Sequence, residues 1–194
     1  MKLVKTLVLT TLSATLLLGA PQTLEESDVE TTVKHGNKSS IMLKKALKSK
    51  LKQQMKKGGV DAALKFCANN AYNITQKINR QIPIGVKIKR VSKKYRNPSN
   101  APLSDELAVI ETFETMQNAN IVLPKYLVQK VSPRTYKYYQ PLVIKNKVCL
   151  KCHGKVSKNI DIKRAIESRY PLDKAINHKM NDLRGVIVVT VENK

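Results

Sequence analysis

Aromatic residues are scarce in this sequence of 194 residues. It contains no tryptophan, two phenylalanines and seven tyrosines, while 42% of the residues are hydrophobic. The side chains of the core must therefore be mainly aliphatic. A chain of this length is consistent with one principal domain that has a core of its own.

Negative charge is missing from two long stretches. No Asp or Glu occurs between Thr31 and Val60 or from Ala62 to Ser104, and the formal net charge is +22. Such a surface favours anionic partners: an acidic redox or signalling protein, an anionic membrane surface, or the acidic groups of a cofactor. A solvated, lysine-rich surface explains the charge equally well. Nucleic acid is not expected, because no aromatic-interleaved RNA motif is present and the amino terminus indicates export.

Long hydrophobic runs are absent apart from one at the amino terminus. Lys2 and Lys5 precede residues 7–18, a mostly apolar stretch that is too short to cross a bilayer as a helix. This pattern predicts a signal peptide at residues 1–20 and a periplasmic protein. Leu18 stands where a small residue usually precedes the cleaved bond, so an uncleaved anchor remains an alternative.

Cysteine is also rare, but two of the three cysteines form a motif. The run Cys149-Leu150-Lys151-Cys152-His153 has two thiols separated by two residues and an imidazole next to the second. This spacing predicts one covalently attached haem c. Cys149 and Cys152 would form the thioethers, and His153 would bind the iron as proximal ligand.

Three other interpretations of this motif are weaker. A thioredoxin-like dithiol is expected in a βαβ pattern, whereas this pair follows a strand-rich stretch late in the chain. Zinc needs four ligands, and Cys67 is the only cysteine outside the motif. A disulfide between Cys149 and Cys152 would close a very short loop and constrain the unfolded chain little.

The pattern of apolar residues divides the rest of the chain. Residues 21–40 show little periodicity and predict a flexible linker. The domain, residues 41–194, begins with two amphipathic helices separated by Gly58-Gly59, and Pro83 ends the second. The expected start of the domain is therefore a helical hairpin.

The remaining segments predict an α+β fold, in which an antiparallel β-sheet is flanked by helices. The strands are expected at residues 86–91, 126–131, 136–144 and 185–191, and helices at 104–118, with Ser104 as N-cap, and at 160–168. Tyrosines on the strands before the cysteine motif either line the cofactor site or pack in the core.

Cys67 lies in the middle of the apolar face of the second helix, and two interpretations of it stay open. A free cysteine often behaves as a small buried hydrophobe. In an exported haem protein, a thiol that faces the same interior as the iron can instead bind the metal as a thiolate.

Several motifs make the chain similar to a known family, the periplasmic c-type haem sensor domains with a PAS-like fold. The resemblance covers Leu43 to the end. It depends on Gly58-Gly59 with Ala63 and Cys67, on Arg96-Asn97-Pro98-Ser99-Asn100-Ala101-Pro102 with Glu106, on Tyr139-Gln140-Pro141-Leu142 before the cysteine motif and Gly154, and on Tyr170-Pro171 with Asp182-Leu183-Arg184-Gly185.

The resemblance implies a five-stranded PAS-like sheet, His153 as proximal ligand and Cys67 as sixth ligand. His178 and Met180 are rival sixth ligands. They lie in a turn where Asn177 and Asn181 replace the glycines usual in such sequences; asparagine tolerates the positive φ that such a turn requires.

The expected function is redox or small-gas sensing. A thiolate ligand favours ferric iron, and its release on reduction would open a site for carbon monoxide or nitric oxide. A low-potential electron-transfer protein is the alternative, and no catalytic residues are expected. Arg96 is a candidate contact of the haem propionates, as are Arg90 and Arg184, although each can equally face solvent.

Overall fold

The structure is a computed structural model that describes residues 24–193. The predicted signal peptide, residues 1–20, lies outside the described residues. Within the described range, no helix combines the length and the apolar character needed to cross a membrane.

The first element is helix α1, Leu24–Asn79, which bends sharply at two glycines. Gly58 and Gly59 leave the helical conformation, and Gly59 has φ 63°, a value that residues with a Cβ rarely adopt. Leu43 and Ile78 pack in the same core cluster, although a straight helix would separate them by about 50 Å. The chain therefore reverses at the glycines, and the predicted helical hairpin is confirmed.

The predicted linker at residues 21–40 is wrong for the part that the structure describes, because α1 already begins at Leu24. Small residues explain why the helix was missed. Thr32 and Ser40 are fully buried, and a Cβ on Gly36 would lie 2.2 Å from the ring of Tyr138. This helix packs directly on the sheet through small side chains, which leave no stripe of large apolar residues in the sequence.

Four antiparallel strands form the sheet, in the order β1-β4-β3-β2. Their bounds are Val86–Val91 for β1, Leu127–Lys130 for β2, Thr135–Val143 for β3 and Leu183–Glu192 for β4. All four lie where the sequence predicts strands. The family resemblance implied five strands, whereas the described residues form four.

Three further helices complete the fold. Helix α2 is Ser104–Asn118, α3 is Leu150–His153 and α4 is Ile160–Arg169. Ser104 is the first helical residue of α2 rather than its cap; Leu103 occupies that position, and the buried Glu106 carboxylate accepts the Leu103 N–H at 3.0 Å. The predicted α+β class, with an antiparallel sheet between helices, is confirmed.

A separate hydrophobic cluster packs on each face of the sheet. On one face, α1 contributes Leu43 and Ile78 to a cluster with the side chains of alternate strand residues. On the other face, α2 contributes Val109, Ile110 and Phe113. Neighbouring tyrosines of β3 divide between the faces, since Tyr138 packs towards α1 and Tyr139 towards α2. These tyrosines belong to the core and do not line the cavity described below.

Candidate functional site

A cavity of about 510 Å³ lies between the two arms of α1, one end of the sheet and the segment that carries the cysteine motif. Its volume is within the range of cofactor sites. Cys67, Cys149, Cys152 and His153 all line it. Residues that are 86 positions apart in the chain are thus brought to one place.

The two cysteines of the motif are carried by a short helical segment. A 3-10 turn at Lys147–Cys149 leads into α3, and the Asn146 side chain caps the turn by accepting the Val148 N–H at 2.9 Å. Both thiols are free and half-buried. They are therefore accessible from the cavity without being fully exposed to solvent.

The imidazole of His153 is oriented by a backbone carbonyl. Its Nδ1 lies 2.8 Å from the oxygen of Ala175, so Nδ1 carries the proton and Nε2 keeps its lone pair. Burial, together with the positive charges of Arg184 and Arg96, holds the pKa of His153 well below its ordinary value. The ring is therefore neutral and in the tautomer that can bind a metal through Nε2.

Arg96 holds the motif against the segment that follows α4. Its Nε and Nη2 donate to the carboxylate of Asp173 at 3.2 and 3.1 Å. Nη2 also donates to the carbonyls of Cys152 at 2.6 Å and Ala175 at 3.2 Å. Arg96 thus binds the same carbonyl as His153, and most of its donors are used inside the protein. Its role in the described structure is to position the motif.

Cys67 belongs to the second arm of α1, in the wall of the cavity. Burial raises the pKa of its thiol, and the positive charges of Arg90 and Arg96 partly oppose this effect. The position satisfies the geometric condition for both sequence interpretations, since Cys67 is half-buried and also faces the cavity that His153 lines.

The rival ligands His178 and Met180 do not line the cavity. His178 is 6% exposed, and its ring centroid lies 6.3 Å from that of His153. Met180 is 37% exposed. Asn177 and Asn181 have φ values of 60° and 71°, so the turn keeps the conformation for which glycine is usual.

One aromatic residue of the cavity was only partly recognised in the sequence. Tyr170 follows α4 and lines the cavity, and the guanidinium carbon of Arg96 lies 5.9 Å from its ring centroid. The sequence marked Tyr170 only as part of a family motif. Tyr170 is distant from both Arg96 and the cysteine motif in the chain, so no local sequence pattern places it in the cavity.

The electrostatic character of the cavity is strongly positive. Among its described lining residues none is acidic. Six are basic: Lys44, Lys48, Lys89, Arg90, Arg96 and Arg184. Two of these form ion pairs with carboxylates outside the cavity lining, Lys89 with Glu106 and Arg96 with Asp173. The Nε atoms of Arg90 and Arg184 are buried without a hydrogen-bond partner. A group that fits this cavity must therefore be largely apolar and also carry negative charge.

The described residues contain no cluster of three or more His, Cys, Asp or Glu side chains that would hold a bare metal ion. Residues 25–192 match the model of the Tll0287-like family, which covers nearly the whole described range. The chain belongs to the Tll0287-like family. The resemblance seen in the sequence motifs is thereby confirmed at the level of the family.

A solved structure shows the same fold as this Tll0287-like chain. It is the crystal structure of the cyanobacterial heme-protein Tll0287, with a TM-score of 0.58 and 20% sequence identity. The match covers 87% of this chain and 96% of that one. No curated protein sequence matches the chain.

Proposed function

We propose that this protein is a periplasmic c-type haem protein that senses redox state or a small gas, with His153 and Cys67 as the two axial ligands. The observation that carries the proposal is that both residues, together with Cys149 and Cys152, line one cavity of about 510 Å³. That the solved relative is described as a heme-protein supports the haem-binding part of the proposal.

The residues of the cavity fit a haem in three respects. Cys149 and Cys152 present free thiols at the spacing that thioether attachment requires. The carbonyl of Ala175 fixes the tautomer of His153 in which Nε2 keeps its lone pair. The unpartnered donors of Arg90 and Arg184 supply positive charge for acidic groups.

Sensing would depend on Cys67. Bound haem would supply a one-electron centre and, at its sixth position, a site for carbon monoxide or nitric oxide. Cys67 would block that position in the oxidised protein and release it on reduction, when its sulfur takes up a proton. The protein would then pass its state to a separate signalling partner.

The test of attachment and ligation compares the wild-type holoprotein with Cys67→Ser by absorption and electron paramagnetic resonance spectroscopy. We expect both proteins to carry covalent haem by mass, and only the wild type to show the low-spin spectrum of imidazole–thiolate ligation. Identical spectra would exclude Cys67 as a ligand. A wild type with the mass of the bare chain, made in a host that attaches haem to other proteins, would exclude the haem itself.

The test of sensing adds carbon monoxide to the oxidised and the reduced protein. We expect the wild type to bind the gas only after reduction. Reduced Cys67→Ser should bind it faster than the reduced wild type, in which the thiol must first leave the iron. A wild-type spectrum that stays unchanged under carbon monoxide after reduction would contradict the sensor proposal and leave the haem assignment intact.

Electron transfer is the second candidate, and the surface around the motif favours it. Cys149 is only half-buried, and Lys147 and Lys151 beside it are exposed. A redox partner with acidic groups could dock at this positive surface. A haem spectrum that does not need Cys67 and does not change under carbon monoxide would select this function over sensing.

A further inference from the structure

Arg90 is a half-buried cation that forms no ion pair with a carboxylate of the described residues. It lies on β1 and lines the cavity, and its Nε is buried without a hydrogen-bond partner. No described ion pair involves it. Burial lowers its pKa, but a guanidinium starts so far above neutrality that it remains charged.

Arg184 stands beside it, at the start of the neighbouring strand β4. Its Nη1 donates to Ser92 Oγ and to the carbonyl of Lys94, both at 2.9 Å, so the side chain is held in place. Its Nε, like that of Arg90, is buried without a partner. Burial and the charges of Arg96 and Arg90 lower its pKa to about 10, which still leaves it protonated at neutral pH.

The third arginine of the cavity, Arg96, has both a counter-charge and hydrogen-bond acceptors. Arg96 pairs with Asp173, which is 6% exposed at its side chain, and donates to two carbonyls. Arg90 and Arg184 have no comparable anion, and the described lining of the cavity offers none. An unpaired buried charge is costly, so a ligand with a negative group is favoured at this place.

We propose that Arg90 and Arg184 form a carboxylate-binding site in the cavity wall. The proposal rests on the proposed function, because the carboxylate expected there is a propionate of the bound haem. A small carboxylate from solution is the other source of the same chemistry. The sequence marks Arg96 as the foremost candidate; the structure assigns the role to the two arginines whose Nε donors are buried without a partner.

The test measures infrared difference spectra between the oxidised and reduced holoprotein, with the haem propionate carboxyls labelled with carbon-13. Wild type is compared with Arg90→Gln, Arg90→Lys and Arg184→Gln. The matched control is Lys48→Gln, which removes a positive charge from the exposed rim of the same cavity. Mass and circular dichroism establish that each variant carries haem and is folded.

We expect the isotope-sensitive carboxylate bands to shift in Arg90→Gln, to shift less in Arg90→Lys, and to stay in place in Lys48→Gln. Arg90→Gln decides the matter alone if Arg184→Gln fails to fold, since Arg184 also holds Ser92 and Lys94. Label-sensitive bands that are the same in wild type and Arg90→Gln would overturn the proposal.

Added acetate distinguishes the two sources. If acetate changes the wild-type spectrum while the labelled bands stay in place, a dissolved carboxylate occupies the site and the propionate assignment is overturned. Failure of the proposed function is a different result, because the wild type would then carry no haem and show no labelled band at all.

Discussion

The two faces of the sheet differ in how completely side chains cover them. The α2 face is packed with Phe113, Ile110 and Val109 against Val186 and Val188. The α1 face is packed over one part only. Beyond Ile88 and Ile187, which belong both to the core cluster and to the cavity wall, the two arms of α1 enclose the cavity.

Charge differs between the faces in the same way. On the α2 side, the fully buried Glu106 pairs with Lys89 at 2.7 Å, and Lys137 pairs with Asp105. On the cavity side, Arg90 and Arg184 have no acidic partner among the described residues. The α2 face is thus closed by side chains and ion pairs, whereas part of the α1 face leaves room for a ligand. Four predictions test this division.

The largest effect is expected from Phe113→Ala on the packed face. Phe113 is fully buried, and its truncation should lower the free energy of unfolding by about 4 kcal/mol. The matched variant Leu51→Ala, in the cavity wall, should cost less than half as much because the leucine is only half-buried. Urea unfolding measures both. Equal losses would show that the two faces contribute alike.

The second largest loss of folding free energy is expected from Arg96→Met. The change leaves the carboxylate of Asp173 buried without its cation and the carbonyl of Cys152 without its donor, at a cost of about 3 kcal/mol. Lys93→Met is the control, because Lys93 pairs with Glu111 and Glu114 at the surface, where such pairs contribute at most about 1 kcal/mol. If both variants cost the same, Arg96 does not hold the motif in place.

Tyr138 and Tyr139, on opposite faces of the sheet, allow the pH dependence of stability to be compared between the faces. Burial raises the pKa of Tyr138 to about 12; burial, with the charges of Asp105 and Glu106, also raises that of Tyr139. An unfolded tyrosine titrates near pH 10. The stabilisation is therefore fully present below about pH 10 and is lost as the pH rises towards the folded pKa.

Tyr138→Phe and Tyr139→Phe should each cost about 1 kcal/mol at neutral pH, because each removes a 2.8 Å hydrogen bond, to Asn37 and Gln129 respectively. Each variant should also lose stability less steeply than wild type between pH 10 and 12. Chemical denaturation across that range checks this. Parallel pH curves for wild type and variants would refute it.

The smallest effect is expected at the turn beside the cavity. Asn177→Gly should change the free energy of unfolding by no more than about 0.5 kcal/mol, because glycine adopts φ 60° without strain but is freer when unfolded. Asn177→Val should cost more than 1 kcal/mol. Thermal unfolding of the pair measures the difference, and equal stability would mean that the turn does not require a positive φ.

Elements with strong local patterns could be predicted from the sequence. Alternation of apolar residues located β1, a run of β-branched apolar residues located β4, and acidic residues at the start of α2 located its beginning. Residues 24–40 were missed because the buried side chains there are small and polar and pack against the sheet. Periodicity of large apolar residues carries no information about such packing.

The residues of the candidate site also differ in whether a local sequence pattern predicts them. The motif gave Cys149, Cys152 and His153 by spacing alone. It could not show that Arg96 is committed to Asp173, which lies 77 positions further along the chain, or that Arg90 and Arg184 are left with unused donors. Those facts depend on which distant residues meet, and no local pattern encodes them.

The position of β4 in the chain has a consequence for how the protein matures. This strand lies between β1 and β3 in the sheet, yet it follows every other described element in order of synthesis. Until it has been made, the sheet lacks its middle, and the thiols of residues 149 and 152 are already present on an unfinished domain. The cavity is therefore completed only when β4, which contributes Arg184 and Ile187 to its wall, has joined the sheet.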